Sequence, residues 1–296
     1  MDLQAYWMDH KKKVDKALQD YLPPEHTCPT IIFQAMRYSL FSGGKRIRPL
    51  LCIAAAESLG GSFDQVVPAA CALEMIHTYS LIHDDLPSLD NDDYRRGILT
   101  NHKIFGEDIA ILAGDALLTE AFHLLSHPGY LKEISAETRL DLIHHISGAA
   151  GFSGMVGGQV MDVQSEGKEV GMDGVHYIHS RKTGALIIAS VRSGAVLAGA
   201  SPEEITALLH YATEVGFAFQ IKDDILNVEG ERERIGKSTG TDSSRGKATY
   251  PSLVGMEASK RRLRELLEDA LDAISSFNEK ADPLRQFARY IVERDS

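Results

Sequence analysis

The sequence predicts an all-α protein, and three observations carry that prediction. Apolar residues recur at helical spacing over most of the 296 residues. Strand-like alternation is almost absent, with no Asn-Gly or Asp-Gly turn between β-branched runs. The prolines fall mostly where helices would begin or end, at Pro23, Pro24, Pro29, Pro68, Pro128, Pro202, Pro251 and Pro283. About ten helices of mixed length are expected. No low-complexity linker or composition break divides the chain, so residues 1–296 are expected to form one large helical domain.

Two long helices matter most. The first is expected over about Phe63 to Leu86, where Val66, Ala70, Leu73, His77, Ser80 and Asp84 share one face that is apolar at its base and polar toward Asp84. The second is expected over about Pro202 to Asn227, where Tyr211, Val215, Ala218 and Gln220 lead toward Asp223. Ser201-Pro202-Glu203-Glu204 is a strong start for it, with serine as the cap, proline in the first turn and acids at the positive end of the helix dipole. The stretch from Glu229 to Thr249 is rich in Gly, Ser, Thr and charge and is expected to be a long functional loop.

Composition narrows the possibilities. Apolar content is 44% and charged content 25%, both ordinary for a globular protein. A net charge of −11 argues against a nucleic-acid partner, which needs a positive surface. It leaves small phosphorylated substrates open, because a bound dication inverts the local sign. Cys28, Cys52 and Cys71 show no CxxC spacing, which points to reduced thiols. The N-terminus lacks a signal peptide's apolar centre, and no run is expected to reach the length of a membrane span; Thr183 to Ala200, the most apolar long stretch by this reading, carries Arg192. A cytoplasmic protein is expected.

The chemistry concentrates in two acid-rich stretches, one from Ser80 to Gly97 with Asp84, Asp85 and Asp90, the other from Phe219 to Asn227 with Asp223 and Asp224. Carboxylates at a helix C-terminus oppose the macrodipole, so aspartate pairs at two such places call for a compensating cation. Asp223 and Asn227 stack on one helix face. Asp84 and Asp90, six apart, do not, but Pro87 between them should break the helix and let Asp90 swing back beside Asp84. Such facing clusters could hold several magnesium ions and, through them, a polyphosphate. Lys45 and Arg48, three apart behind Gly43-Gly44, are expected on one side of a first helical turn, with Arg95-Arg96 following the first acid cluster.

These motifs in this order (GGKRIRP, EMIHTYSLIHDDLPSLDNDDYRRG, NHKIFGEDIAILAGDALL, GGQVMD, KTGAL, FQIKDDILN and GKSTGTD) resemble the trans-isoprenyl diphosphate synthases, most closely the bacterial farnesyl diphosphate synthases. The resemblance runs from Gly43 to the C-terminal region. It implies one domain with about ten core helices around a central cavity, usually as a homodimer, with about three Mg2+ per active site. Asp84 and Asp90, with Asp85 beside them, would hold two ions and Asp223 a third. Lys45, Arg48, His77 and Arg96 would bind isopentenyl diphosphate. Arg95, Lys182 and Lys237 would bind the allylic partner, dimethylallyl or geranyl diphosphate. Thr183 and Gln220 would lie by the carbon that becomes cationic. Tyr79, with Ser80 beside it, resembles the floor that limits the product to farnesyl diphosphate.

The alternatives are a geranylgeranyl diphosphate synthase with the same catalytic motifs, a terpene cyclase, which has no need of Lys45, Arg48 and Arg96, and a non-catalytic subunit of a prenyl synthase. The second motif departs from the family by ending in Asn227 where Asp is usual, and the C-terminus Glu293-Arg-Asp-Ser296 carries little of the basic character that closes the site in some relatives.

Overall fold

A computed structural model describes residues 1–229 and 249–295. Helices α1 to α4 span Leu3–Tyr21, Thr30–Leu40, Ile47–Ser58 and Phe63–Asp84. After a two-stranded antiparallel hairpin, Tyr94–Arg95 with Ile98–Leu99, come α5 (Asn101–Phe105), α6 (Glu107–Ser126), α7 (Ala136–Ala150), α8 (Met155–Ser165) and α9 (Met172–Ile178). A π-helix, His179–Gly184, leads directly into α10 (Ala185–Leu197), which is followed by α11 (Pro202–Glu229), α12 (Tyr250–Val254), α13 (Met256–Ala273) and α14 (Asp282–Glu293).

The predicted helices α4 and α11 are present nearly as expected. α4 starts in a capping box between Ser62 and Gln65, and α11 in one between Ser201 and Glu204, where Ser201 N donates to Glu204 Oε2 at 2.8 Å and Glu204 N to Ser201 Oγ at 3.2 Å. Pro68 departs from expectation: it lies inside α4, where its missing N–H removes one backbone bond. The hairpin is an element the sequence did not announce. Its two central residues, Arg96 (φ 53°) and Gly97 (φ 81°), both have positive φ, as the tight turn between twisted strands requires, but Arg-Gly is not the usual pair for it.

Two apolar cores share α3 and α10 as a common wall. One joins α1, α2, α4, α6 and α7 to Cys52, Ile53 and Ala56 of α3 and to Leu186 and Ala189 of α10. The other joins Leu50, Leu51 and Ala54 of α3 and Ile187 and Val191 of α10 to α11, α13 and α14. Gly194 lets the wall close, since a Cβ there would overlap the carbonyl of Cys52. On the second side, the Tyr211 hydroxyl donates to Leu284 O at 2.6 Å, so a fully buried aromatic is satisfied while fixing α14 on α11.

The expectation that no run is long enough to span a membrane is corrected by α6. By length and composition alone Glu107–Ser126 could cross one, with a mean hydropathy of 1.4. Its Ala110, Ala113, Leu117, Ala121 and Leu124 pack into the first core, while Ile111 and Leu112 are exposed.

Candidate active site

α4 delivers the first acid cluster. Along its functional face Val66, Ala70 and Leu73 are fully buried, whereas His77, Ser80 and Asp84 are half-buried, the predicted passage from apolar base to polar mouth. The helix stops at Asp84, and the chain folds back so that Asp90 N donates to Asp84 O at 2.8 Å and Asn91 N to Leu86 O at 3.0 Å. The break expected at Pro87 therefore does bring Asp90 beside Asp84. Burial, with Asp90 and Asp85 nearby, pushes the Asp84 carboxyl up to about 6, against the pull of Lys182 and Arg95.

Asp85 and Arg95 pair directly. Asp85 is buried, and Arg95 Nε lies 2.7 and 2.8 Å from its two carboxylate oxygens. The pair ties the start of the hairpin to the end of α4, with burial the largest influence on both groups, raising Asp85 and opposing the rise that Asp85 imposes on Arg95.

The basic wall is built differently from the expectation. Gly43 (φ 99°), Gly44 (φ 109°) and Arg46 (φ 53°) all take positive φ, and Arg46 turns into the core. There it donates to Glu74 at 2.7 Å, Asp15 at 2.8 Å and Leu40 O at 2.6 Å. α3 accordingly begins at Ile47, so Lys45 stands in the loop before the helix and not in its first turn, its ammonium 5.7 Å from the Tyr290 ring. Gly44 makes room for Arg96, whose guanidinium occupies the space a Cβ would need, and Arg96 Nη1 donates to Gly43 O at 2.5 Å. Arg48 Nε is buried with no hydrogen-bond partner among the described residues. Burial brings the Arg48 guanidinium down to about 10, with Arg96 adding to the fall and Glu74 and Asp223 opposing it. His77 is pushed well below the ordinary imidazole range, first by burial and then by Arg48 and Arg96, and so stands neutral in a positive corner. Arg48, His77 and Arg96 thus share one field, suited to an incoming anion.

Further predicted site residues come from the π-helix and α11. Lys182 Nζ donates to Asp162 Oδ2 at 2.7 Å, and Thr183 is half-buried beside it in sequence. On α11, Gln220 is half-buried, and Asp223 accepts from Arg294 Nη2 at 2.6 Å. Arg294 also lies over the Phe219 ring, 4.2 Å from its centroid. Asp224 accepts from Tyr250 N at 2.7 Å and lies 3.4 Å from His179 Nε2. Lys237 lies outside the described residues.

Beneath the mouth, Tyr79 is 7% exposed, its ring edge-on to His83 at 5.7 Å. Burial and then Asp84 push its phenol up to about 12. Ser80 Oγ caps back onto His77 O at 2.9 Å. Sequence reasoning missed Asp162 and Arg294. Asp162 stands in the quoted GGQVMD motif without a role, and Arg294 belongs to a tail read as too weakly basic to reach the site.

The acid donors suit a hard divalent cation. Asp84 is a half-buried carboxyl crowded by two others, a site whose ionised form a dication would stabilise. Among the described residues no group of three or more His, Cys, Asp or Glu side chains is arranged to hold a metal ion by itself. Magnesium fits such a partial set, since it keeps waters and takes phosphate oxygens to fill its octahedron.

The polyprenyl synthetase family model matches residues 29–286. The chain is 47% identical over 296 residues to a geranylgeranyl diphosphate synthase of Cyanophora paradoxa, covering 100% of this chain and 97% of that one. It is 45% identical over 294 residues to a farnesyl diphosphate synthase of Bacillus subtilis (strain 168), covering 99% and 98%. A crystal structure of an FPP/GFPP synthase from Zymomonas mobilis superposes with a TM-score of 0.89 at 36% identity, covering 98% and 99%. With the family model matching most of the chain and relatives of similar fold matching nearly all of it, the chain belongs to the polyprenyl synthetase family and is a prenyltransferase of the trans-prenyl diphosphate synthase type.

Proposed function

We propose that the chain is a farnesyl diphosphate synthase, joining isopentenyl diphosphate head-to-tail first to dimethylallyl and then to geranyl diphosphate. The observation that carries the product length is Tyr79. It is buried on α4 more than one helical turn below Asp84, where a growing prenyl tail would descend. An aromatic side chain there fills the depth that a longer product would need.

In this reading Asp84, Asp90 and Asp223, with Asp85 alongside, hold Mg2+ against the allylic diphosphate. Bound magnesium supplies charge neutralisation for the departing pyrophosphate. Arg95 and Lys182 add positive charge to the same leaving group. Arg48, His77 and Arg96, with Lys45, take the diphosphate of isopentenyl diphosphate; the orphaned Arg48 Nε supports this, because a buried donor without a partner is matched to a ligand still to come. Holding the double bond in line with the allylic carbon converts a bimolecular encounter into a positioned attack. Thr183 and Gln220 present dipoles to the allylic cation, and the apolar walls keep water from capturing it. The proton leaves to the departing pyrophosphate, so no dedicated side-chain base is needed.

A homodimer belongs to the same reading, supported by the exposed Ile104, Ile111 and Leu112 on α5 and α6. So does a reducing, cytoplasmic setting, supported by free Cys28, Cys52 and Cys71. The test is to incubate the protein with isopentenyl and dimethylallyl diphosphates and magnesium, then size the dephosphorylated alcohols. A C15 alcohol is expected. A C20 alcohol would favour the geranylgeranyl reading, and no condensation would favour the non-catalytic subunit.

A further inference from the structure

Asp162 has no part in the roles above, yet it is 8% exposed and lies against a residue that has one. α8 meets the π-helix at two points one helical turn apart. At the first, Gly158 abuts the backbone of Lys182 so closely that a Cβ would overlap the Lys182 nitrogen. At the second, Asp162 accepts a hydrogen bond from the Lys182 ammonium at 2.7 Å. Residues four apart on a helix share a face, so one face of α8 grips both ends of the same lysine.

The rest of the π-helix is fixed as firmly. His179 faces Asp224 of α11 at 3.4 Å, and Arg181 Nη1 donates to Ser153 O at 2.8 Å. On the far side a Cβ on Gly216 of α11 would come within 3.3 Å of Gly184 Cα, so a second glycine allows close approach there. π-helical turns are rare and recur at functional sites. Here the wide turn is clasped by two helices, and the one long flexible cation it carries toward the first acid cluster is held by a buried carboxylate. Among the charges around Asp84, Lys182 is the strongest favourable one. A free lysine carries rotamer entropy that a fixed partner removes before any ligand binds.

We propose that Asp162 is a positioning residue for the condensation, holding the Lys182 ammonium at the pocket mouth beside Asp84 before the allylic diphosphate arrives. The proposal rests on the reading that Lys182 meets the allylic diphosphate. When the diphosphate enters, the ammonium keeps its bond to Asp162 and turns its remaining two N–H donors to the phosphate oxygens. Asp162 touches no reacting atom; it acts through Lys182.

The experiment compares Asp162→Ala, Asp162→Asn, Lys182→Met and the double variant Asp162→Ala/Lys182→Met in steady-state kinetics with each substrate varied. Calorimetry with an unreactive thio-analogue of dimethylallyl diphosphate gives a readout independent of turnover. Asp162→Ala is expected to lower kcat/KM for dimethylallyl diphosphate by about 10- to 100-fold and to weaken analogue binding, as loss of positioning does. The KM for isopentenyl diphosphate should stay within about twofold. Asp162→Asn keeps an acceptor without the charge and should fall between, and it carries the same test if Asp162→Ala does not fold. In the Lys182→Met background the second substitution should cost less than about threefold more, because the two act as one unit. Asp162 variants within about twofold of the wild type, a loss shared equally by both substrates, or full additivity with Lys182→Met would each overturn the proposal. A Lys182→Met enzyme with unchanged allylic kinetics would instead overturn the underlying placement of Lys182.

Discussion

Asp84 shows how one side chain acquires its character from its place in the chain. It is the last residue of α4, where unpaired carbonyls oppose a negative charge, and the turn that follows brings Asp90 to it through a 2.8 Å backbone bond. Burial and two neighbouring carboxylates raise it, and Lys182 and Arg95 restrain the rise. Replacing it with asparagine keeps the shape and removes the charge that a dication needs. Asp84→Asn is therefore expected to lower kcat by at least about 100-fold, as loss of one electrostatic stabiliser typically does. The check is a rate assay beside circular dichroism and thermal melting, which should show an intact fold. Asp223 differs: it is already paired with Arg294 at 2.6 Å, so a cation there has a competitor.

At the scale of elements, the close approach of α3 and α10 rests on Gly194, whose missing side chain leaves room for the Cys52 carbonyl. Gly194→Ala is expected to destabilise the fold by about 1–3 kcal/mol, the usual range for overpacking, and urea unfolding measures it. α4 and α11 were legible in the sequence because amphipathic periodicity and caps are local signals. The return of Asp90 was legible because Pro87 forbids a continuing helix. The π-helix was not, because the neighbours packed closely on His179–Gly184, Gly158 and Gly216, come from two distant helices. The hairpin was hidden by an Arg-Gly turn, and the place of Lys45 by the inward path of Arg46, which depends on Glu74 and Asp15 far along the chain. Arg294 was missed because its value lies in reaching Asp223, 71 residues away.

At the scale of the whole molecule, the first and last helices close the body around the shared wall of α3 and α10. On α1, Tyr6 donates to Glu57 of α3 at 2.7 Å, and His10 Nε2 lies 3.1 Å from the same carboxylate. Burial opposes charge on His10, but the Glu57 bond and charge outweigh it and raise the imidazole above 6.5. Burial likewise opposes charge on Glu57, and the His10 and Tyr6 bonds overcome it to hold the carboxyl below 4.5. The histidine's contribution is thus complete below 6.5 and lost as pH rises through its raised value, while the glutamate's is complete above 4.5 and lost as pH falls through its lowered one. The gap in unfolding free energy between the wild type and Glu57→Gln should therefore be larger at about pH 6 than at about pH 8.5, as urea titrations at both values would show.

In the proposed reading the growing prenyl chain stops at Tyr79, which is buried on α4. The most direct measurement is the chain length of the alcohols released from Tyr79→Ala and wild-type protein supplied with isopentenyl and dimethylallyl diphosphates. The expected result is a C15 product from the wild type and a shift to longer products from the variant. The same C15 product from both proteins would contradict Tyr79 as the floor of the pocket.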